Sequence, residues 1–173
     1  MSGSYAIPIS GLKEGRHLID FEIGKEFFEQ FEESEVEVGS LTANIEIDKR
    51  SSHLDLIISI SGSVSVCCDR CLEMYLQPVI CENRLLVKFG KSIENSDPDI
   101  ISLPPDEHEL DLMQHLYEFI YLALPIKRVH VPDNNGNSAC DPEMLKKLNE
   151  HIVDEEKRQD SRWDELGKLI NGN

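Results

Sequence analysis

The chain has 173 residues, 40% hydrophobic and 29% charged, which is the make-up of a globular domain that buries a core and not of a disordered segment. Its 33 acidic residues against 17 basic ones leave a net charge of −16, a surface that repels phosphate backbones and anionic membranes. Direct nucleic-acid binding is therefore disfavoured, and a basic protein is the partner this charge suits.

The opening Met1-Ser2-Gly3-Ser4-Tyr5 has neither the charged start nor the apolar run of a leader. The longest apolar stretch, Phe119 to Pro125, falls far short of the ~20 residues a membrane span needs. Five cysteines, three of them at Cys67, Cys68 and Cys71, do not form a disulfide framework, so reduced thiols and a cytoplasmic setting are expected.

From the N-terminus, His17 to Ile23 alternates Ile19, Phe21 and Ile23 against Leu18, Asp20 and Glu22, as a half-buried strand does. Phe27, Phe28 and Phe31 then recur at helical spacing among Glu26, Glu29, Glu32 and Glu33, which predicts a short helix with its rings inward. Val36 and Val38 share one parity, while Leu41, Ala43, Ile45 and Ile47 take the other. A bulge or break at Gly39-Ser40 would keep both sets facing the core.

After a polar connection at Lys49 to Ser52 comes the longest alternation in the chain. Leu54, Leu56, Ile58, Ile60, Val64, Val66 and Cys68 hold one parity, with Ser59, Ser61, Ser63 and Ser65 opposite. Gly62 inside this run marks a twist or a close backbone approach. Cys68 to Cys71 makes a turn and Tyr75 to Phe89 returns as a strand, with Pro78 placing its start at a sheet edge. Short turns between successive strands favour antiparallel pairing.

Glu94 to Glu109, acidic and proline-containing, reads as a loop. Asp111 can cap the helix that follows, with Gln114 in capping-box position and Leu112, Leu116, Phe119, Ile120 and Ala123 as its buried stripe; Pro125 ends it. Val131 to Ala139 is a second loop. Asp141-Pro142 starts another helix, expected to run to Arg158 with Leu145, Leu148 and Ile152 on one side. A last short helix from Ser161 carries Trp163, Leu166 and Ile170.

The fold expected from these elements is α+β: an antiparallel sheet, barrel-like in one version, with packed helices and a helical C-terminal tail. The α+β domain would cover residues 1–140 and the helical segment 141–173.

Cys68-x2-Cys71 at a hairpin tip has the shape of a zinc knuckle, in which a tight turn aims two thiolates at one point. A structural zinc needs four ligands, and His130 and Cys140, flanking the Asn-rich loop, are the candidate second pair; Cys67 is a spare and Cys81 lies inside a strand. Reduced cysteines that hold the turn by packing are the alternative. His108 and His115 are seven residues apart and do not make a metalloprotease helix motif. Asp133-Asn134-Asn135-Gly136-Asn137 starts like a calcium loop, but Met144 stands where the bidentate Glu is required. No phosphate-cradling loop, activated nucleophile or dinucleotide fingerprint appears, so no catalytic residue, organic cofactor or small-molecule substrate is expected. Trp163 either docks on the domain or offers a partner an aromatic anchor.

Several of these stretches resemble, in order, those of the YceD family. Cys68-Asp69-Arg70-Cys71-Leu72 is similar to its Cys-x-Arg-Cys turn after an apolar strand, and Glu109-Leu110-Asp111-Leu112 through Leu122-Ala123-Leu124-Pro125 to its acidic helix closing on Leu-Ala-Leu-Pro. His130 matches its following histidine, Cys140 a later cysteine, and Ser161-Arg162-Trp163 with Leu166 and Leu169 its terminal Pro-Arg-aromatic tail, with Ser161 in place of proline. The second cysteine cluster of many relatives is reduced here to Cys140. The resemblance implies a role in the accumulation of large-subunit ribosomal RNA and names no catalytic residue; the acidic surface adds that the effect passes through a protein, with Arg70 and Trp163 as candidate contacts. Two other readings of the same residues are a metal-dependent nucleic-acid-processing enzyme or subunit and a purely structural zinc module.

Overall fold

A computed structural model describes residues 5–32, 34–90, 99–104, 106–132 and 138–152. Seven strands and three helices follow one another in these residues. They are β1 (Ala6–Pro8), β2 (Gly15–Ile23), α1 (Lys25–Phe28), β3 (Gly39–Lys49), β4 (His53–Cys67), β5 (Met74–Phe89), β6 (Ile100–Leu103), β7 (Glu109–Asp111), α2 (Met113–Ala123) and α3 (Pro142–His151). The result is mixed α+β with a mostly antiparallel sheet.

Strands β2 to β6 form one sheet in the order β2-β3-β4-β5-β6, and β1 pairs with β7 in a second, two-stranded one. Among the described residues no pairing joins β2 to β6, so the five-stranded sheet is open and the barrel-like version finds no support. The first four strands are antiparallel, whereas β6 runs parallel to the end of β5 with Leu86 opposite Ile100 and Phe89 opposite Leu103. Ile100–Leu103 and Glu109–Asp111 correct the expectation of a loop over residues 94–109. Neither runs beyond two periods of alternation, so neither announces itself in sequence.

The two-residue period separates the faces of the sheet. Leu41, Ala43, Ile45 and Ile47 of β3 are buried with Leu54, Leu56, Ile58, Ile60, Val64 and Val66 of β4 and Val79, Leu85 and Val87 of β5. Leu18, Asp20, Glu22, Glu46, Ile57 and Glu82 face water on the other side. Such division is the usual one for an antiparallel sheet covered on one face. The cover is built from aromatic rings. Tyr5 meets Phe21 and Phe27 edge-on, Phe27 meets Phe28 and Phe31, and Phe31 stacks on Tyr117 of α2 at a centroid distance of 3.8 Å. The short α1 is thus a wedge between the sheet and α2, with Phe27 and Phe28 buried as its spacing requires.

Two glycines sit where a side chain has no room. A Cβ on Gly39 would lie 2.6 Å from a ring carbon of Phe28, so α1 packs directly over the start of β3. Gly62 has φ +149°, and a Cβ there would approach the Ser40 carbonyl oxygen to 2.2 Å, the close approach read from sequence. The chain before Gly39 is not a strand. Val36 is buried but Val38 is 48% exposed, so only one of the two valines reaches the core; Val38 instead gives its carbonyl to Ser65 N–H at 2.8 Å. Pro78 pairs with Ser63 on β4, while β6 reaches β5 only at Leu86–Phe89, so among the described residues the first three quarters of β5 form a sheet edge.

The helix ends follow their residues in part. Asp111 Oδ1 accepts Met113 N–H at 2.9 Å, but Gln114 donates forward to Glu118 at 2.8 Å, so the capping box does not close. Leu124 is extended (φ −71°, ψ 140°) before Pro125, as a residue preceding proline prefers. Asp141 accepts Glu143 N–H at 3.0 Å and Pro142 opens α3. This helix ends at His151, short of Arg158, and its Leu148 and Ile152 are exposed. Trp163, the helix expected from Ser161 and the calcium-like loop at Asp133 to Asn137 lie outside the described residues. No helix among the described residues is long and apolar enough to cross a membrane.

Gly62→Ala should cost about 3 kcal/mol in chemical denaturation, because backbone strain and a backbone clash coincide there; Gly11→Ala, with open space around it, should stay within about 0.5 kcal/mol. On the water face, Arg84 forks onto both carboxylate oxygens of Asp55 and holds its carboxyl below the usual carboxylate value. A depressed folded-state value contributes stability above the unfolded value, near pH 4, and loses it as pH falls further. Asp55→Asn should therefore cost up to about 1 kcal/mol at pH 7, with the deficit shrinking below pH ~4; an equal deficit at pH 2 would remove the ion pair as its cause.

Candidate metal centre

Strand β4 keeps its parity one step past its end, so Cys68 lies on the buried side of the sheet where Leu54 to Val66 precede it. The chain then turns: Leu72 N–H donates to the Cys68 carbonyl at 2.9 Å and Cys68 N–H to the Glu73 carbonyl at 2.9 Å. Leu72 takes φ +61°, the only positive φ outside glycine among the described residues. This turn brings Cys71 back beside Cys68.

The second half of the site comes from the segment after α2. Asp69 N–H donates to the Arg128 carbonyl at 2.7 Å, and Arg128 N–H donates to the Asp69 carboxylate at 2.7 Å. This reciprocal clamp fixes residues 128–130 against the hairpin tip. The Arg128 guanidinium is held in turn by Glu35 at 2.6 Å. His130 packs its ring on Tyr75, centroids 4.8 Å apart, and points Nδ1 at Cys71 Sγ, 3.4 Å away. Cys140, just before the α3 cap, brings its sulfur to 3.7 Å from Cys68 Sγ.

Cys68, Cys71, His130 and Cys140 thus converge, with one ligand atom from each inside a sphere where all lie within 4.8 Å of one another. The three cysteines are 0%, 3% and 5% exposed, and Tyr75, Val129, Met144 and Leu145 wall them in. Burial opposes ionisation of Cys68, but the N–H groups of Cys71, Arg70 and His130, together with the Cys71 thiol, outweigh it and hold Cys68 at about 6. Burial pushes the Cys71 thiol up, and the neighbouring Cys68 and Cys140 sulfurs add to the rise.

The other residues singled out in the sequence stand apart. Cys67 is exposed and turns its thiol to the Leu72 carbonyl, while Cys81 meets the Phe119 carbonyl in α2. Arg70 is half-exposed at the knuckle tip, with no hydrogen bond or ion pair to its side chain among the described residues. Sequence reading missed Asp69, Arg128 and Glu35, whose roles depend on contacts 59 and 93 residues apart, and Tyr75, whose ring supports His130.

The chain is thus an α+β domain whose hairpin cysteines, Cys68 and Cys71, face His130 and Cys140, a donor set of the residue types that a zinc knuckle uses. Residues 56–170 match the family described as Large ribosomal RNA subunit accumulation protein YceD, and the chain belongs to that family. The match contains both halves of the site and begins inside β4. No curated protein and no solved structure matches the chain.

Asp69→Ala removes one arm of the clamp and should cost about 1 kcal/mol, the worth of a charge-assisted hydrogen bond discounted for exposure. Urea denaturation checks this, and an unchanged midpoint would show that the Arg128 segment is held by other contacts.

Proposed function

We propose that the chain is a non-catalytic factor supporting the accumulation of large-subunit ribosomal RNA, and that it acts by holding a basic protein of the ribosome or its assembly machinery. Membership of the YceD family carries this reading. The cytoplasm is the setting it fits.

The surface supports a protein as the contact. A net charge of −16 opposes binding to phosphate and steers a basic polypeptide inward. Beside the knuckle tip, Leu72, Met74, Leu76 and Ile80 are exposed, the last two at 69% and 83%, along the part of β5 that has no outer strand among the described residues. An apolar strip on an open strand edge recognises another polypeptide, through main-chain pairing and side-chain burial, and has nothing to offer a sugar-phosphate backbone. Arg70, whose side chain has no hydrogen bond or ion pair among the described residues, stands at the end of this strip and can meet a carbonyl or carboxylate of the partner. Trp163 is a further candidate anchor.

The test is affinity capture of the tagged chain from its own cytoplasm, with and without ribonuclease, for the wild type, Arg70→Ala and the Leu76→Thr/Ile80→Thr pair. Threonine keeps the preference for a strand while removing the apolar surface. Large-subunit proteins should persist after digestion and fall at least about fivefold in both variants, a loss of about 1 kcal/mol in binding, while stability changes by no more than about 0.5 kcal/mol for Arg70→Ala. Loss of all ribosomal material on digestion would mean direct RNA contact and overturn the charge argument. Capture of no ribosomal material under either condition would overturn the function.

A further inference from the structure

We propose that Cys68, Cys71, His130 and Cys140 bind one zinc ion as a closed structural centre, and that this ion is what docks α3 onto the β4–β5 hairpin.

Distances carry the first half of this. Zinc at about 2.3 Å from sulfur and about 2.0–2.1 Å from nitrogen, with tetrahedral angles, sets sulfurs about 3.8 Å apart and sulfur about 3.5 Å from nitrogen. Cys68 and Cys140 sulfurs are 3.7 Å apart, and Cys71 sulfur lies 3.4 Å from His130 Nδ1. Two opposite edges of the tetrahedron are therefore already at metal-bound length. All ligand atoms lie within 4.8 Å of one another, so any remaining edge closes by about 1.3 Å at most. A disulfide between Cys68 and Cys140 would need the sulfurs at about 2.05 Å, and ordinary packing gives no reason for a histidine nitrogen to complete the set.

The donor set selects the ion. Three thiolates and one imidazole in tetrahedral array suit zinc, whereas carboxylate and water ligands would mark magnesium or calcium. On binding, each thiol gives its proton to solvent and its sulfur to the metal, and His130 binds as the neutral ring through Nδ1. Four protein ligands, three of them buried, leave no position for water or substrate, which makes the centre structural and not catalytic.

The packing of α3 carries the second half. This helix buries no residue fully, and of its side chains Met144 and Leu145 rest against the cysteine cluster. Ten residues anchored by two half-buried side chains are a weak attachment in water. Cys140, directly before the Asp141 cap, ties the helix start to β4 through the metal. Residues 128–130, already clamped by Asp69, bring the fourth ligand.

The experiment uses the full chain, purified without chelator. Elemental analysis should find one zinc per chain. Replacement by cobalt should give the visible absorption of a tetrahedral site together with a thiolate-to-cobalt charge-transfer band of three-sulfur intensity. Cys140→Ser should reduce that band by one third or abolish it, while Cys67→Ser and Cys81→Ser, neighbours outside the set, should leave it unchanged. Hydrogen exchange should show that chelation strips protection from the amides of α3 while β3 and β4 keep theirs. Absence of metal with unaltered α3 protection would overturn the centre, as would a Cys68–Cys140 disulfide seen as a chain two hydrogens lighter. A cobalt charge-transfer band left at full intensity by Cys140→Ser, or α3 protection that persists in the metal-free chain, would overturn the docking role.

Discussion

One parity governs this molecule. Along β4 the even-numbered positions from Leu54 to Val66 face the covered side of the sheet, and Cys68 continues the series one step beyond the strand. A slip of one residue against β3 or β5 would send six large apolar side chains into water and the serines into the core, which is why register here has a single solution. Gly62 keeps the same strand continuous where it meets β3, since only a bare Cα passes the Ser40 carbonyl. The hydrophobic core and the cysteine pair are therefore positioned by one and the same constraint.

From that strand outward the structure becomes progressively less self-supporting. The sheet face is covered by a contiguous ring cluster from Tyr5 through Phe27 and Phe31 to Tyr117, where apolar burial supplies the stability. The hairpin tip relies on hydrogen bonds: the turn from Cys68 to Glu73 and the Asp69–Arg128 clamp. Beyond it, α3 has neither a buried stripe nor a tertiary hydrogen-bond network among the described residues, and its contact with the domain is the cysteine cluster. The gradient from oil to polar contacts to a small thiol cluster is what assigns the cluster a mechanical role.

What sequence alone could read follows the same gradient. β2, β3, β4, β5, the ring face of α1 and the start of α3 were legible because each has enough residues to display a period or a cap. Strand β6 was not: Ile100 to Leu103 has four residues between acidic and proline-containing stretches, and its parallel pairing with β5 is a tertiary fact. Val38 misled because a parity argument assumes a strand, and the chain before Gly39 is irregular. At the site, Cys68 and Cys71 declared themselves by spacing, and His130 and Cys140 by being chemically suited residues that flank one loop. Asp69 and Arg128 left no local sign, since a clamp across 59 residues has no spacing of its own.

The family match begins at residue 56, inside β4, and this has a structural consequence. Leu56 to Val64 are paired on one side by β3, and they share one core cluster with Phe27 and Phe28, all from residues before the matched stretch. Without those residues β4 would become an edge strand with a long apolar face in water, a surface that associates indiscriminately. The N-terminal elements thus complete the sheet, whereas the cysteine hairpin, the clamp and α3 fall within the matched residues. The exposed strip of β5 also lies there, on the edge away from β2 and β3. Core completion and the candidate contact surface therefore occupy opposite sides of β4, so the N-terminal strands can vary in sequence, provided they keep the inward period, without touching the knuckle or the strip.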